Sequence, residues 1–136
     1  AIYIYGFEKA LKDWKRFIKT NGYMVCSHIS WLNENPPFEI VEYWKVMYED
    51  IQNINTNLTT AVNCGYDIVN YFVLPEESWW NDYYTPLLKR LPHFKTQYSD
   101  NETAMKVINE IVTEIEMFKK YSEYYGYVFY VLRKNN

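Results

Sequence analysis

Glycine is scarce in this chain. Only four occur among 136 residues, Gly6, Gly22, Gly65 and Gly126, and no two are close enough to make a Gly-x-Gly turn. That excludes the glycine-rich loop with which nucleotide-binding α/β folds bring backbone against a ligand. Cysteine and histidine are as sparse, at two each. Cys26 and Cys64 lack metal-type spacing and two histidines do not complete a ligand set, so no metal site is expected. No apolar run reaches the roughly 20 residues that span a bilayer, so no membrane partner is expected. No secretory signal is visible, which points to a cytoplasmic, reducing compartment. The net charge of −3 gives no ground for a nucleic-acid partner.

What is abundant is aromatic. Tyr, Trp and Phe make up 20% of the residues, with 15 Tyr and 5 Trp. Such rings fill cores, and they also line pockets for small organic ligands. The 49% hydrophobic and 23% charged content is that of a globular chain. Length predicts a single domain over residues 1–136. Lys12, Lys15, Arg16 and Lys19 share one helical face, which reads as a solvated surface. Asn57-Leu58-Thr59 and Asn101-Glu102-Thr103 match the glycosylation sequon. Without a secretory signal both are read as chance matches.

Phe7, Ala10, Leu11, Trp14, Phe17 and Ile18 recur at helical spacing, predicting a helix over 7–20 that Gly22 stops. Tyr23 to Ile29 is a near-continuous apolar run, the pattern of a strand covered on both faces. The breakers from Asn33 to Pro37 precede a helix with Ile40, Val41, Trp44, Met47, Tyr48 and Ile51 as its stripe. A polar break over Asn53 to Asn57 leads to a short helix through Leu58, Ala61 and Val62, closed by Gly65. Tyr66 to Leu74 reads as a second strand, stopped by Pro75. Glu76 to Tyr84 reads as a helical turn, and Pro86 and Pro92 divide the next stretch into short helices. Asp100 is placed to cap a long helix with Ala104, Val107, Ile108, Ile111, Ile115 and Phe118 as its stripe. Gly126 is expected to end it, and Tyr127 to Leu132 to form the last strand. Alternating helices and buried strands predict a layered α/β fold.

Ile18-Lys19-Thr20-Asn21-Gly22 before the Tyr23 strand resembles the Leu-Lys-Pro-Gly-Gly join ahead of the fifth strand of a class I S-adenosylmethionine-dependent methyltransferase. Cys64-Gly65-Tyr66 resembles the turn that introduces its sixth strand. Ser30-Trp31-Leu32, Leu74-Pro75-Glu76-Glu77-Ser78-Trp79-Trp80, Tyr83-Tyr84-Thr85-Pro86-Leu87 and Tyr124-Tyr125-Gly126-Tyr127 are similar to a bacterial and archaeal small-molecule subgroup. The resemblance implies the C-terminal half of a Rossmann-like sheet. Tyr23–Ile29, Tyr127–Leu132 and Tyr66–Leu74 would be strands five, seven and six, the seventh antiparallel between its neighbours. It also implies that S-adenosylmethionine serves the full-length enzyme, and that the cofactor-binding half is absent, so this segment holds no cofactor residue and is inactive alone.

In open α/β sheets ligands sit beyond the carboxyl ends of the parallel strands. His28 and Trp31 lie at that end of the first strand. His28 is the one candidate catalytic residue, as a proton acceptor; the alternative is a histidine simply held in place. Trp31, Trp79, Trp80, Tyr83 and Tyr84 are the candidate substrate-binding residues, an aromatic wall suited to a small methyl acceptor with cationic character. For Trp79 to Tyr84 the competing reading is core. A stand-alone α/β interaction module and an aromatic-ligand-binding domain without catalysis remain as alternatives. Without a fourth strand beside it, the Tyr23 strand has an open edge, so a homodimer burying that edge and the first helix is expected.

Overall fold

Runs rich in β-branched and aromatic residues form strands where neighbours can cover them, and three such runs do so here. The computed structural model describes residues 2–136. They form two compact units: residues 2–74 with Glu123–Asn136, and Pro75–Ser122.

The first unit holds α1 (Ile2–Tyr5), α2 (Phe7–Trp14) with a 3₁₀ turn at Lys15–Phe17, and β1 (Tyr23–Trp31). There follow α3 (Phe38–Met47), β2 (Gln52–Asn53), α4 (Ile54–Asn63), β3 (Tyr66–Val73) and finally β4 (Tyr125–Lys134). The sheet order is β2-β1-β4-β3. β4 is antiparallel to both neighbours, running from Tyr23 opposite Arg133 to Trp31 opposite Tyr125 on one side. On its other side it pairs from Tyr66 opposite Lys134 to Val73 opposite Val128, with a bulge between Ile68 and Asn70. β1 and β3 therefore run parallel with β4 between them, the five-seven-six arrangement that the resemblance implies.

Several boundaries differ from the sequence reading. The first helix gives way to a 3₁₀ turn before Gly22, where an added Cβ would lie 2.8 Å from the Lys19 carbonyl oxygen. The helix expected from Leu58 starts at Ile54, because the Asn53 side chain accepts the Thr56 N–H at 2.7 Å. Gly126 does not end a helix; it pairs with Ser30 inside β4. β2 was not foreseen, since two polar residues carry no strand period. It pairs parallel to β1 at Ser30 and Trp31.

Lys134 donates its N–H to the Gly22 carbonyl, and Leu32 to that of Tyr124, each at 2.8 Å. In an antiparallel ladder the hydrogen-bonded pairs fall at every second residue. The even-numbered residues of β1 thus turn their backbone groups toward β4. Those of Tyr23, Val25, Ser27 and Ile29 point to the outer edge.

One face of the sheet carries the main core: Tyr66, Val128, Tyr130 and Leu132 under Ala10 and Leu11 of α2 and Ala61 of α4. On the other, Trp44 of α3 meets Tyr125 edge-on at 5.2 Å. Inside the main core sits a polar triangle. Ser30 Oγ donates to the His28 carbonyl at 3.0 Å. Its single proton is then used, so Tyr130 donates across the 2.8 Å contact to Ser30. Asn57 Nδ2 gives one proton to Ser30 Oγ at 3.1 Å and the other to the Tyr130 oxygen at 3.0 Å. Asn57 is 2% exposed, so the folded chain does not present this sequon for modification.

Asn57→Ala leaves the buried Tyr130 oxygen without its donor and takes one of two donors from Ser30 Oγ, and should cost roughly 1–3 kcal/mol. Chemical denaturation measures it; a change within a few tenths of a kcal/mol would mean that the triangle does not hold α4 to the sheet.

The second unit holds α5 (Glu76–Trp79), a π turn at Trp80–Tyr84, α6 (Thr85–Gln97) and α7 (Glu102–Tyr121). Pro92 does not divide the region as expected; α6 runs through it. Asn101 rather than Asp100 caps α7, accepting the Ala104 N–H at 2.9 Å.

Candidate functional site

β1 ends where Leu32 hands its N–H to Tyr124, and the chain turns sharply. Asn33 Nδ2 donates to the Glu123 carbonyl at 2.6 Å. Asn35 takes a left-handed φ of 55°, a conformation that asparagine tolerates better than most residues, and Pro36-Pro37 lead into α3. Beyond this carboxyl end lies a cavity of about 620 Å³, walled by Trp31, Asn33, Glu34, Asn53, Asn55 and Tyr71. Trp31 is held from behind by Tyr125, edge-on at 6.4 Å.

The lining decides what fits. Two rings and several amides surround a single carboxylate, Glu34, and no lysine or arginine lines the cavity. A neutral or cationic small molecule suits this chemistry; an anion does not. Trp31 was a sequence candidate. Asn33, Asn53, Asn55 and Tyr71 were not, although the capping pattern around Asn53 was readable.

His28 lies on the opposite face of β1 from Trp31. It is 1% exposed, stacked on Phe7 at 4.5 Å and met edge-on by Tyr48 at 5.6 Å. Its Nδ1 has no hydrogen-bond partner. Burial pushes the imidazole down to about 4, so at neutral pH it is an uncharged, weak base. A cavity of about 720 Å³ reaches this residue and Asn57 from the α2 side, with Lys9–Asp13 and Lys12–Glu8 paired at 2.7 and 2.8 Å on α2.

The remaining sequence candidates belong to the helical unit. Trp79 is 9% and Tyr84 1% exposed; their rings lie 4.4 and 5.4 Å from that of Phe118 on α7. Tyr84 also donates to Glu114 Oε2 at 2.8 Å. Trp80 Nε1 reaches Glu76 Oε1 at 3.4 Å, and Tyr83 is about half exposed. The four rings thus gather within one unit, while His28 and Trp31 belong to the other.

Cys26 and Cys64 are free thiols, and burial pushes Cys26 up to about 12, which removes it as a nucleophile. Among the described residues no group of three His, Cys, Asp or Glu side chains is placed to hold a metal. No helix among them is long and apolar enough to cross a membrane. Gly6 precedes α2, Gly22 precedes β1, Gly65 precedes β3 and Gly126 lies within β4.

No protein-family model and no curated protein matches the chain. Solved structures do. A putative sarcosine dimethylglycine methyltransferase from Galdieria sulphuraria aligns with 95% of this chain and 48% of its own, at a TM-score of 0.69 and 13% identity. A SAM-dependent methyltransferase from Geobacter sulfurreducens, in complex with S-adenosyl-L-homocysteine, aligns with 84% of this chain and 46% of its own, at 0.62 and 20%. The fold is that of the C-terminal half of a class I methyltransferase. The chain spans about half the length of these structures. The same methyltransferase fold also appears in the [4+2]-cyclase SpnF, which covers 93% of this chain and 43% of its own at a TM-score of 0.64 and 14% identity. A class I methyltransferase fold therefore carries more than one chemistry.

The buried rings have two measurable consequences. His28 titrates near 6.5 when unfolded and about 4 when folded, so between these values the unfolded chain binds the extra proton. Its contribution is complete above pH 6.5 and is lost as pH falls through 4, a loss on the order of 3 kcal/mol. In His28→Phe, unfolding free energies measured from pH 7 to 4 should fall less steeply; an unchanged slope assigns it to other groups. Separately, Tyr84→Ala should destabilise the helical unit by roughly 3–5 kcal/mol. Unchanged thermal unfolding would mean that the ring is not core.

Proposed function

We propose that this chain supplies the acceptor side of an S-adenosylmethionine-dependent methyltransferase that acts on a small molecule. The observation that carries the proposal is the cavity beyond the carboxyl end of β1, on a sheet whose strand order is that of a class I methyltransferase. Ligands of open α/β sheets bind at that end. The solved structures of this fold include methyltransferases in complex with S-adenosyl-L-homocysteine.

A bound sulfonium cofactor supplies an already activated methyl group. What remains for the chain is placement of the acceptor and exclusion of water. Trp31 and Tyr71 offer ring faces, Glu34 a negative charge, and the asparagine amides both donors and acceptors. An amine acceptor matches this set, and the Galdieria structure carries an amine-acceptor name. In this reading the cofactor side lies outside these residues, as the resemblance implies, and the segment alone is expected to be inactive.

Two measurements test the reading. Calorimetry of the chain with S-adenosylmethionine should show no saturable heat at micromolar concentrations. A micromolar Kd, about −8 kcal/mol, would overturn the division of roles. In NMR titrations with sarcosine and other small amines, compounds that bind should shift the Trp31 indole N–H, and Trp31→Ala should abolish their binding. Binders that move only residues remote from Trp31 and Tyr71 would show that the cavity is not the acceptor site.

A further inference from the structure

On the α2 and α4 side of the sheet, the cavity of about 720 Å³ reaches two buried polar side chains, His28 and Asn57. Both keep hydrogen-bonding capacity that the described residues do not use. Asn57 sends its two amide protons to Ser30 and Tyr130, and no described residue donates to its Oδ1. His28 Nδ1 has no partner, and a neutral imidazole carries one donor and one acceptor. Buried polar groups seldom stay unpaired. The walls are the chain's own and rest on one core. α4 brings Thr56, Asn57 and Thr60 to the cavity at helical spacing. Its Ala61 shares the core with Ala10 and Leu11 of α2. α1 supports a third side, where Tyr3 lies 5.5 Å from Tyr48 and Tyr48 meets His28 edge-on. Neither His28 nor Asn57 lines the cavity beyond the end of β1, and Trp31 points to the opposite face of that strand.

The charges decide what enters. Lys9 and Lys12 are paired with Asp13 and Glu8 at 2.7 and 2.8 Å, so neither ammonium is free to receive an anion. Glu8 also stands in the first turn of α2, where it answers the helix dipole. Asp50 lines the same cavity and is exposed, and among the described residues no cation pairs with it. A carboxylate at the exposed side and uncharged polar groups at the floor suit a ligand with an ammonium at one end and hydroxyls at the other. The reverse orientation would bury a charge beside His28 and Asn57 without a countercharge, which is costly. We propose that this cavity is a second small-molecule site, one that takes an amine-bearing polyol of about monosaccharide size. Its deepest hydroxyl donates to Asn57 Oδ1 and a neighbouring one bonds His28. Others meet the hydroxyls of Thr56 and Thr60, since a hydroxyl both donates and accepts, and the ammonium stands at Asp50.

NMR of the full chain with nitrogen-labelled histidine tests this, because the sequence has only His28 and the exposed His93. Glucosamine, glucose and glucuronate are the probes, a cationic, a neutral and an anionic sugar. Glucosamine should shift the His28 imidazole saturably with a Kd of about 1 mM or lower and leave His93 in place. Glucose should bind more weakly and glucuronate not at all. Asp50→Asn should remove the preference for glucosamine over glucose. Thr60→Val, which keeps the side-chain shape, should weaken glucosamine roughly fivefold, as expected of one lost hydrogen bond, with an unchanged circular dichroism spectrum. Trp31→Ala should leave the His28 response unaltered, which separates this site from the acceptor cavity whatever the fate of that reading. No saturable shift of His28 at about ten times that concentration would mean that the cavity holds water alone, and overturns the proposal. So does glucuronate binding as tightly as glucosamine, or a His28 response that disappears in Trp31→Ala.

Discussion

Every long strand of the sheet depends on β4, which is hydrogen-bonded along both edges. β1 and β3 are not neighbours in the strand order; Tyr125–Lys134 lies between them and pairs with both. The polar triangle leans on the same strand, because Tyr130 of β4 bonds both Ser30 of β1 and Asn57 of α4. Pairing β1 with β4 brings together residues from opposite ends of the chain. Such non-local contacts must meet their loop-closure entropy before any stabilisation is gained.

This dependence also sets where chemistry can sit. The triangle consumes the side-chain protons of Ser30, Asn57 and Tyr130, so those buried donors fix geometry rather than meet a ligand. His28, one turn of the pleat away, is held neutral by burial. The groups that line the proposed acceptor cavity lie past the strand end, on loop residues such as Asn33, Glu34 and Asn35, positioned by the strand behind them. Rigid sheet and polar loop divide the labour.

Much of the fold was legible in the residues, because apolar runs at Tyr23 and Tyr66 and the helical stripe ending at Phe118 have strong periods. β2 was not, since its partner supplies the reason for its conformation. Gly126 misled for a related cause: glycine is a reliable stop only when the chain turns, and here it lies flat inside a strand. Pro92 misled because a helix can continue through a proline when its neighbours hold it. For the site, the position of Trp31 followed from strand direction. Tyr71 and Asn53 come to the same cavity from distant parts of the chain, and no local pattern announces that. The cluster from Trp79 to Tyr84 shows the limit of composition: ring spacing identified a cluster but not which rings face inward.

The helical unit enters and leaves the sheet unit at neighbouring points. Leu74, at the end of β3, donates its N–H to the Tyr127 carbonyl of β4 at 2.9 Å. β3 and β4 are therefore the two arms of a hairpin, and residues 75–122 occupy the place of its turn. Lengthening such a connection costs little, about 0.6 kcal/mol per doubling, once the arms are zipped. An insert tethered this way is free to diverge in length and composition without disturbing strand register.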